Sequence, residues 1–461
     1  MSLTKVTFSM IHGAVVNVFD FGATGNGVTD DTAAIQAAIN YAEASATPPS
    51  AAPGVVTVYF PFGLYMLSSA LTVTKSLSFV GEGHSEYSTG ARLIQNTTAT
   101  NHFTVTPIPA GCSVSWDNLT MTANGGSGGS CLYVGKGCNS VRIRGCTFGT
   151  PSALAINLQG SDDVQIDGNL FDVSATNCIS LGTSTAANVV SNCSITNNSF
   201  FQISIKAILV YNVTGLLIQG NRVYKNPSTP ADPVCFVDAV NTLPYQVENV
   251  IISDNKISNL NCLLLAKSPK QLVISGNTVS NFGAGSGATL SGIELTGAPE
   301  NISITGNVFS GSFDTKSFYS DSACSSVIAN TNISGNLFTN TAGTGPALLC
   351  ANSLGLIAGN TFAGFSTFSV SESVLTTGST FTPGTIASLG NYTQNISVTG
   401  ARQGDLITVS SPYTVWPLPV GIQMVAYVSA PGVITFKYEN VTAGSIAVTA
   451  HDWIYTVTRS L

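Results

Sequence analysis

The chain has 461 residues, a formal net charge of −7, and 8% charged residues against 44% hydrophobic ones. The fraction of charged residues lies far below the roughly 25% of an average globular domain. No cluster of Lys and Arg is present, which argues against nucleic-acid binding through phosphate neutralisation. No apolar run of about 18 residues occurs, which excludes a transmembrane helix. A chain so apolar and rich in glycine must bury its side chains in regular structure with many turns, which favours an all-β fold.

The first predicted element in the chain is a short helix near the N-terminus. Asp30 or Asp31 is a candidate N-cap. The apolar residues that follow recur at the spacing of one helical face; they are Ile35, Ala38, Ile39 and Ala42. A helix with one apolar face can close the end of a repeat fold. Residues 1–50 are therefore predicted to form a lead-in and a capping helix.

A short sequence phrase then recurs along the chain: apolar, any, apolar, any, Gly, Asn, any, apolar. Clear copies occupy residues 164–171, 216–223 and 272–279. The shared asparagines are Asn169, Asn198, Asn221, Asn255, Asn277, Asn307, Asn336 and Asn360. No helix is predicted between them, and several intervals hold a second alternating run such as 207–210. The pattern predicts a β-solenoid over residues 51–390.

Each repeat is interpreted as one coil of two or three short strands. A coil cannot bury its own inner face, so coils stack about 4.8 Å apart and each strand pairs with its copies above and below. Gly and Asn tolerate the left-handed backbone of a sharp bend. The stacked Asn side chains are expected to hydrogen-bond along their column as a structural ladder.

After about Tyr392 the repeat stops and alternating strands follow. They are predicted at residues 406–409, 424–428, 433–438 and 453–457. Their spacing and turn signals indicate a small β-sandwich. Residues 391–461 are therefore assigned to a C-terminal β-domain.

The ten cysteines form no CxxC pair and no disulfide framework. Several occupy positions where an apolar strand residue is expected, namely Cys178, Cys235, Cys262 and Cys350. We expect these side chains to be small buried hydrophobes.

Residues 18–39, VFDFGATGNGVTDDTAAIQAAI, resemble the opening motif of the pectate-lyase-like superfamily, and residues 55–65 and 77–83 resemble its first coils. This resemblance implies a right-handed parallel β-helix and a structural role for Asp20, Asp30 and Asp31. The superfamily contains polygalacturonases, lyases, epimerases and phage tailspikes, so the motif selects no single chemistry.

Residues 8–18 resemble the lead-in of bacteriophage tailspikes. Residues 421–428, 433–441 and 454–459 resemble the terminal β-domain of some tailspikes and tail fibres. The resemblance implies a homotrimeric virion protein on a phage tail or baseplate. Its partner would be a bacterial capsule or O-antigen, met at the cell surface. No cofactor, metal, nucleic acid or membrane partner is expected.

Three functions remain open: a polysaccharide hydrolase, a polysaccharide lyase, and a spike that binds its receptor without cleavage. The polygalacturonase pattern is absent, because Asp162-Asp163 precedes its strand in a turn, His84 lacks a following Gly, and no R-x-K occurs. A calcium-dependent lyase would need clustered Asp ligands, and no cluster is evident, although Arg222 or Lys225 could act as its base.

Cleavage of a glycan commonly uses two carboxylates. Glu294 lies between apolar neighbours that point inward, so it should point outward. Stacking is expected to put Asp238 about 10 Å and Asp321 about 5 Å from it in backbone height; the first separation is near the inverting range and the second suits a retaining pair. Glu294 with Asp238 or Asp321 is the catalytic hypothesis. The alternative is that these are ordinary solvated carboxylates.

The column that contains Glu294 is predicted to include Tyr133, Asn157, Leu209 and Leu264. Aromatic side chains could stack on sugar rings; the candidates are Tyr211, Tyr224, Phe236, Tyr245 and Tyr319. Each could equally be ordinary surface or core. A site between chains of a trimer also remains open.

Overall fold

The computed structural model describes the chain over most of its length. The described residues are 15–45, 55–83, 90–97, 100–107, 111–124, 129–149, 154–172, 177–183, 188–201, 203, 206–224, 235–239, 247–260, 262–282, 292–311, 318–320, 328–340, 348–350, 353–358, 360–363, 379–381, 384–397, 403, 406–410, 419–448 and 451–458. Lys225, Tyr245 and Asp321, and the lead-in before residue 15, lie outside them.

The helix predicted near the N-terminus spans Thr32–Ser45, after a short 3-10 helix at Val18–Phe21. Asp30 accepts a hydrogen bond from the Thr32 backbone N–H at 3.0 Å, and Asp31 accepts one from Thr24 at 2.7 Å. Both aspartates therefore organise the turn into the helix, as expected. The predicted apolar stripe is fully buried and belongs to the solenoid core. The helix thus packs against the core at the end where the first coils lie.

Three parallel sheets form the solenoid. Within the described residues, eleven coils contribute one strand to each sheet in turn, and the first and last coils contribute strands to sheets I and II alone. Sheet I has 13 strands: Val16–Asn17, Val56–Phe60, Leu77–Gly81, Cys112–Asp117, Cys138–Arg144, Val164–Asp167, Val190–Thr196, Val213–Gln219, Val247–Ser253, Lys270–Ser275, Glu300–Thr305, Ile328–Ser334 and Ser353–Ala358. Sheet II has 13 strands: Asn26–Asp30, Gly63–Leu67, Ala91–Gln95, Leu119–Ala123, Thr147–Gly149, Leu170–Asp172, Ser199–Phe201, Arg222–Tyr224, Lys256–Ser258, Thr278–Phe282, Val308–Gly311, Leu337–Asn340 and Thr361–Ala363. Sheet III has 11 strands: Leu71–Val73, Phe103–Val105, Ser130–Val134, Leu154–Leu158, Asn177–Leu181, Lys206–Val210, Cys235–Ala239, Cys262–Lys267, Ile293–Thr296, Phe318–Ser320 and Leu348–Cys350.

The asparagine column forms at the bend between sheets I and II. Asn277 donates its side-chain amide to the Asn307 side chain at 2.9 Å, and accepts from the Asn255 side chain at 2.9 Å. The same contact joins every consecutive pair from Asn169 to Asn360. The predicted ladder is confirmed, and it fixes the register of the coils.

Aliphatic and aromatic side chains fill the interior of the solenoid in columns. Phe148, Phe171 and Phe200 stack in adjacent coils with ring centroids 5.0 and 4.7 Å apart. Offset stacking of this kind adds to the stabilisation from area burial. The described cysteines are free and buried. Cys178 belongs to this interior, as predicted, and the side chain of Cys350 lies outside the described ones.

Small antiparallel sheets follow the solenoid. Their strands are Ser379–Phe381, Gly384–Ile386, Asn391–Ser397, Leu406–Ser410, Ile422–Ala430, Val433–Asn440, Ile446–Val448 and His451–Thr458. They enclose a hydrophobic cluster of their own that includes Ile434, Phe436 and Tyr438. The first two strands of this group precede residue 391, so the antiparallel pairing begins before the predicted domain boundary. No helix in the described ranges is long and apolar enough to cross a membrane.

Candidate functional site

The outer face of sheet III carries Glu294 and Asp238 in one column. Strand pairing places Asp238 opposite Leu265, and Leu265 opposite Glu294. Two strand spacings separate the carboxylate-bearing residues, which is about 10 Å of backbone. The placement of Asp238 two coils before Glu294 agrees with the sequence prediction.

The predicted column needs one correction. Tyr133, Asn157 and Leu209 belong to it, but Leu264 does not, because Leu264 pairs with the inward-facing Ile293. Leu265 takes its place. Leu263 and Leu264 are both buried, so two consecutive residues of this strand face inward. The strict alternation used to assign the column therefore fails at this point.

In the coil after Glu294, the residue in register is Tyr319. Asp321 follows it by two positions and lies outside the described residues. The pair that can be located is therefore Glu294 with Asp238, and the pair with Asp321 stays a prediction.

Asp238 is a buried carboxylate, with 3% of its surface exposed, and it forms an ion pair with Lys206. Lys206 opens the strand of the preceding coil and pairs in register with Cys235. Burial of a carboxylate is costly without a partner, and a lysine ammonium offsets much of that cost. Asp238 therefore differs from the solvated carboxylate that was the alternative interpretation, whereas Glu294 is only half-buried.

Two thiols lie beside these charges. Cys235 and Cys262 stand in register in adjacent coils, and both are buried outside the main hydrophobic cluster of the solenoid. Burial raises the pKa of the Cys262 thiol well above its ordinary value, and contact with Cys235 and the negative charges of Glu294 and Asp238 raise it further. The Cys262 thiol therefore lies close enough to both carboxylates for their negative charge to raise its pKa. The prediction that these two cysteines are buried is confirmed, and their position beside the carboxylates is an addition to it.

The aromatic candidates are dispersed. Phe236 is fully buried and meets Phe200 edge-on at 6.2 Å, so its role as a sugar-stacking residue is wrong. It occupies a second consecutive inward position, next to Val237. Tyr211 is half-buried in the turn after Lys206–Val210, and its backbone N–H donates to the Leu181 carbonyl at 2.8 Å.

The other aromatic candidates have different positions. Tyr224 is 43% exposed on the outer face of sheet II, beside Phe201. Tyr319 has its backbone next to Glu294, and its side chain lies outside the described ones, as does all of Tyr245.

Sequence reasoning missed Lys206, Cys235 and Cys262. The available signal for Lys206 was a single charge opening the apolar run 206–210. Arg222, considered as a lyase base, is exposed on sheet II rather than on the carboxylate column. No group of three metal-binding side chains occurs among the residues that the structure describes.

Comparison with known proteins supports a carbohydrate-active β-helix. Residues 15–229 match the family model Rhamnogalacturonase A/epimerase, pectate lyase-like. The mannuronan C5-epimerase AlgE1 of Azotobacter vinelandii is 46% identical over 77 residues, which cover 15% of this chain and 5% of the relative. The chain therefore spans only a small part of the length of that relative.

The solved structures that are similar to this chain include an enzyme and a viral protein, and the first of these shows the similarity in fold. DFA-IIIase from Arthrobacter chlorophenolicus A6, without its lid and in complex with GF2, has a TM-score of 0.55 at 16% identity, over 75% of this chain and 93% of that one. ORF18 of Geobacillus virus E2 has a TM-score of 0.49 at 18% identity, over 95% of this chain and 76% of that one. The three stacked sheets make this chain a parallel β-helix, and residues 15–229 are similar to the pectate lyase-like family.

Proposed function

We propose that the protein is a phage tailspike that binds a bacterial capsule or O-antigen and hydrolyses it at Glu294 and Asp238. The observation that carries the proposal is the outward column of sheet III, where two carboxylates stand two coils apart and one is paired with Lys206. The family match and the epimerase relative support a carbohydrate substrate. The tailspike-like lead-in and the terminal antiparallel sheets support a homotrimer mounted on the virion tail.

The two carboxylates lie in different environments, which suits different roles. Asp238 is buried and forms an ion pair with the ammonium group of Lys206. We assign it the role of base. Glu294 is half-buried on the outer face of sheet III, and we assign it the role of acid.

Hydrolysis then proceeds in one balanced step. Asp238 takes a proton from water, the water oxygen bonds to the anomeric carbon, and Glu294 gives its proton to the departing sugar oxygen. A spacing of about 10 Å lies near the range of roughly 6.5–9.5 Å of inverting glycosidases. The proposal therefore includes inversion at the anomeric carbon.

The test is the release of fragments from purified capsules and O-antigens of a bacterial strain panel. Glu294→Gln and Asp238→Asn should each lower the cleavage rate by at least 100-fold, in line with the loss of a general acid or base. Glu300→Gln is the matched control, because Glu300 is exposed on sheet I and outside the column. Full activity in Glu294→Gln would refute the assignment.

The fragments also separate the competing functions. A lyase on the same scaffold would leave an unsaturated sugar that absorbs ultraviolet light. A spike that only binds would retain the polysaccharide and release no fragments.

A further inference from the structure

A second surface on the solenoid has the composition of a sugar-binding site. Phe201 and Tyr224 occupy equivalent positions in adjacent coils of sheet II, and their ring centroids are 6.4 Å apart. They are 40% and 43% exposed. Both side chains lie outside the hydrophobic core of the solenoid and leave two fifths of their surface exposed. Two rings at this spacing offer a platform for the apolar faces of sugar rings.

Two cations lie beside the aromatic rings. Arg222 is on the same strand as Tyr224, two residues before it, so both side chains point out of the sheet. Lys256 pairs in register with Arg222 in the next coil, and both cations are exposed. The whole chain has only 16 Lys and Arg, so two in adjacent coils are an unusual concentration.

The stacking of Arg222 on Lys256 is unfavourable by itself. Like charges directly opposite each other on neighbouring strands destabilise a sheet. The ion pairs formed within the described part of the chain are Arg142–Asp163, Lys206–Asp238 and Lys437–Glu439, and none involves these two cations. An anionic group bound between them would relieve the repulsion.

We infer that Phe201, Tyr224, Arg222 and Lys256 form a binding subsite for a polysaccharide whose repeating unit carries a negative charge. The rings contact sugar faces, and the cations pair with the anionic substituent. The inference deepens the proposed function and rests on it for the polysaccharide class.

Connectivity relates this subsite to the carboxylate column. Lys206, the partner of Asp238, follows Phe201 by only five positions in the same coil. Five residues span at most about 18 Å. A single polysaccharide chain can therefore contact the subsite and reach towards the carboxylates.

Nucleic acid is the competing ligand, because exposed aromatics with cations also bind single strands. The family match and the epimerase relative favour a polysaccharide over a nucleic acid. A glycan with one charge per repeat needs only a few cations.

The experiment is affinity electrophoresis of the full chain through gels that contain a polysaccharide. The probes are polygalacturonate, its methyl-esterified form as the matched neutral backbone, acidic and neutral capsules from the strain panel, and an oligothymidylate. Variants are Arg222→Gln/Lys256→Gln and Tyr224→Ala. Arg92→Gln is the control for the loss of one positive charge elsewhere on the same sheet, because Arg92 lies on sheet II at a distant coil and donates a hydrogen bond to Thr122.

We expect polygalacturonate or an acidic capsule to retard the natural chain, and the neutral probes to retard it much less. The double variant and Tyr224→Ala should each weaken retardation at least 10-fold, while Arg92→Gln leaves it unchanged. Equal retardation of the double variant, retardation by neither acidic probe, or preference for oligothymidylate would overturn the inference. Circular dichroism confirms that each variant is folded.

Glu294→Gln separates this inference from the proposed function. It should still be retarded like the natural chain although cleavage is lost. If the natural chain is retarded but cleaves nothing, the hydrolase proposal fails and the subsite stands.

Discussion

Removal of one asparagine from the middle of the ladder tests what holds the coils in register. Asn277 is fully buried. Its side-chain amide donates to the Asn307 side chain at 2.9 Å and the Ile252 carbonyl at 2.8 Å, and its oxygen accepts the Asn255 backbone N–H at 3.1 Å. Asn277→Ala leaves at least two buried polar groups, the Ile252 carbonyl and the Asn255 N–H, without these partners. At about 1–3 kcal/mol for each unpaired buried group, we expect a loss of about 4 kcal/mol.

The assay is denaturant unfolding followed by circular dichroism, with Asn360→Ala as the matched control. Asn360 ends the column and is only partly buried, so water can replace its partners. We expect a loss of about 1 kcal/mol there, the typical net value of a hydrogen bond. Equal losses for the two variants, or a loss below about 1 kcal/mol for Asn277→Ala, would show that the hydrogen bonds of the buried asparagines do not determine the stability of the solenoid.

Three further predictions follow from buried groups. Cys146 stands where the ladder would continue, since its N–H donates to Asn169 at 2.9 Å and its sulfur meets the Trp116 carbonyl at 3.5 Å. Cys146→Asn should add one hydrogen-bonded step to the ladder and raise the free energy of unfolding by about 1 kcal/mol; a lower free energy of unfolding would contradict this. Burial lowers the pKa of His102 to about 4, so the unfolded chain takes up a proton first as pH falls below about 6.5. Stability should therefore decrease between pH 6.5 and pH 4 by about 3 kcal/mol, and urea titrations of His102→Gln should show a flatter profile. Lys206→Met leaves Asp238 buried without its counter-charge; the free energy of unfolding should fall by about 3–5 kcal/mol and cleavage should be slower. Lys267→Met, at an exposed lysine of the same sheet, should change neither strongly.

The repeat and its bends could be predicted from the sequence because their chemistry is local. Gly276 adopts a φ of +66°, which a glycine tolerates at no cost, and Asn277 follows it at once. The capping helix could also be predicted from the sequence, because its apolar residues recur with a fixed period. Both signals lie within a few residues and need no knowledge of distant contacts.

The candidate site was harder to predict from the sequence, because it depends on the register between coils. Lys206 and Asp238 are 32 positions apart and meet only when the coils stack. Strict alternation also failed in sheet III, where Phe236 and Val237 are both buried in succession. That local departure explains why Phe236 was taken for a surface ring and Leu264 for an outward residue.

The most direct measurement is mass analysis of fragments released from the sensitive polysaccharide in water enriched in heavy oxygen. We predict that each new reducing end carries one labelled oxygen, that no fragment is unsaturated, and that Glu294→Gln releases none. Unlabelled fragments with a double bond, or labelled fragments released at the natural rate by Glu294→Gln, would contradict hydrolysis at this column.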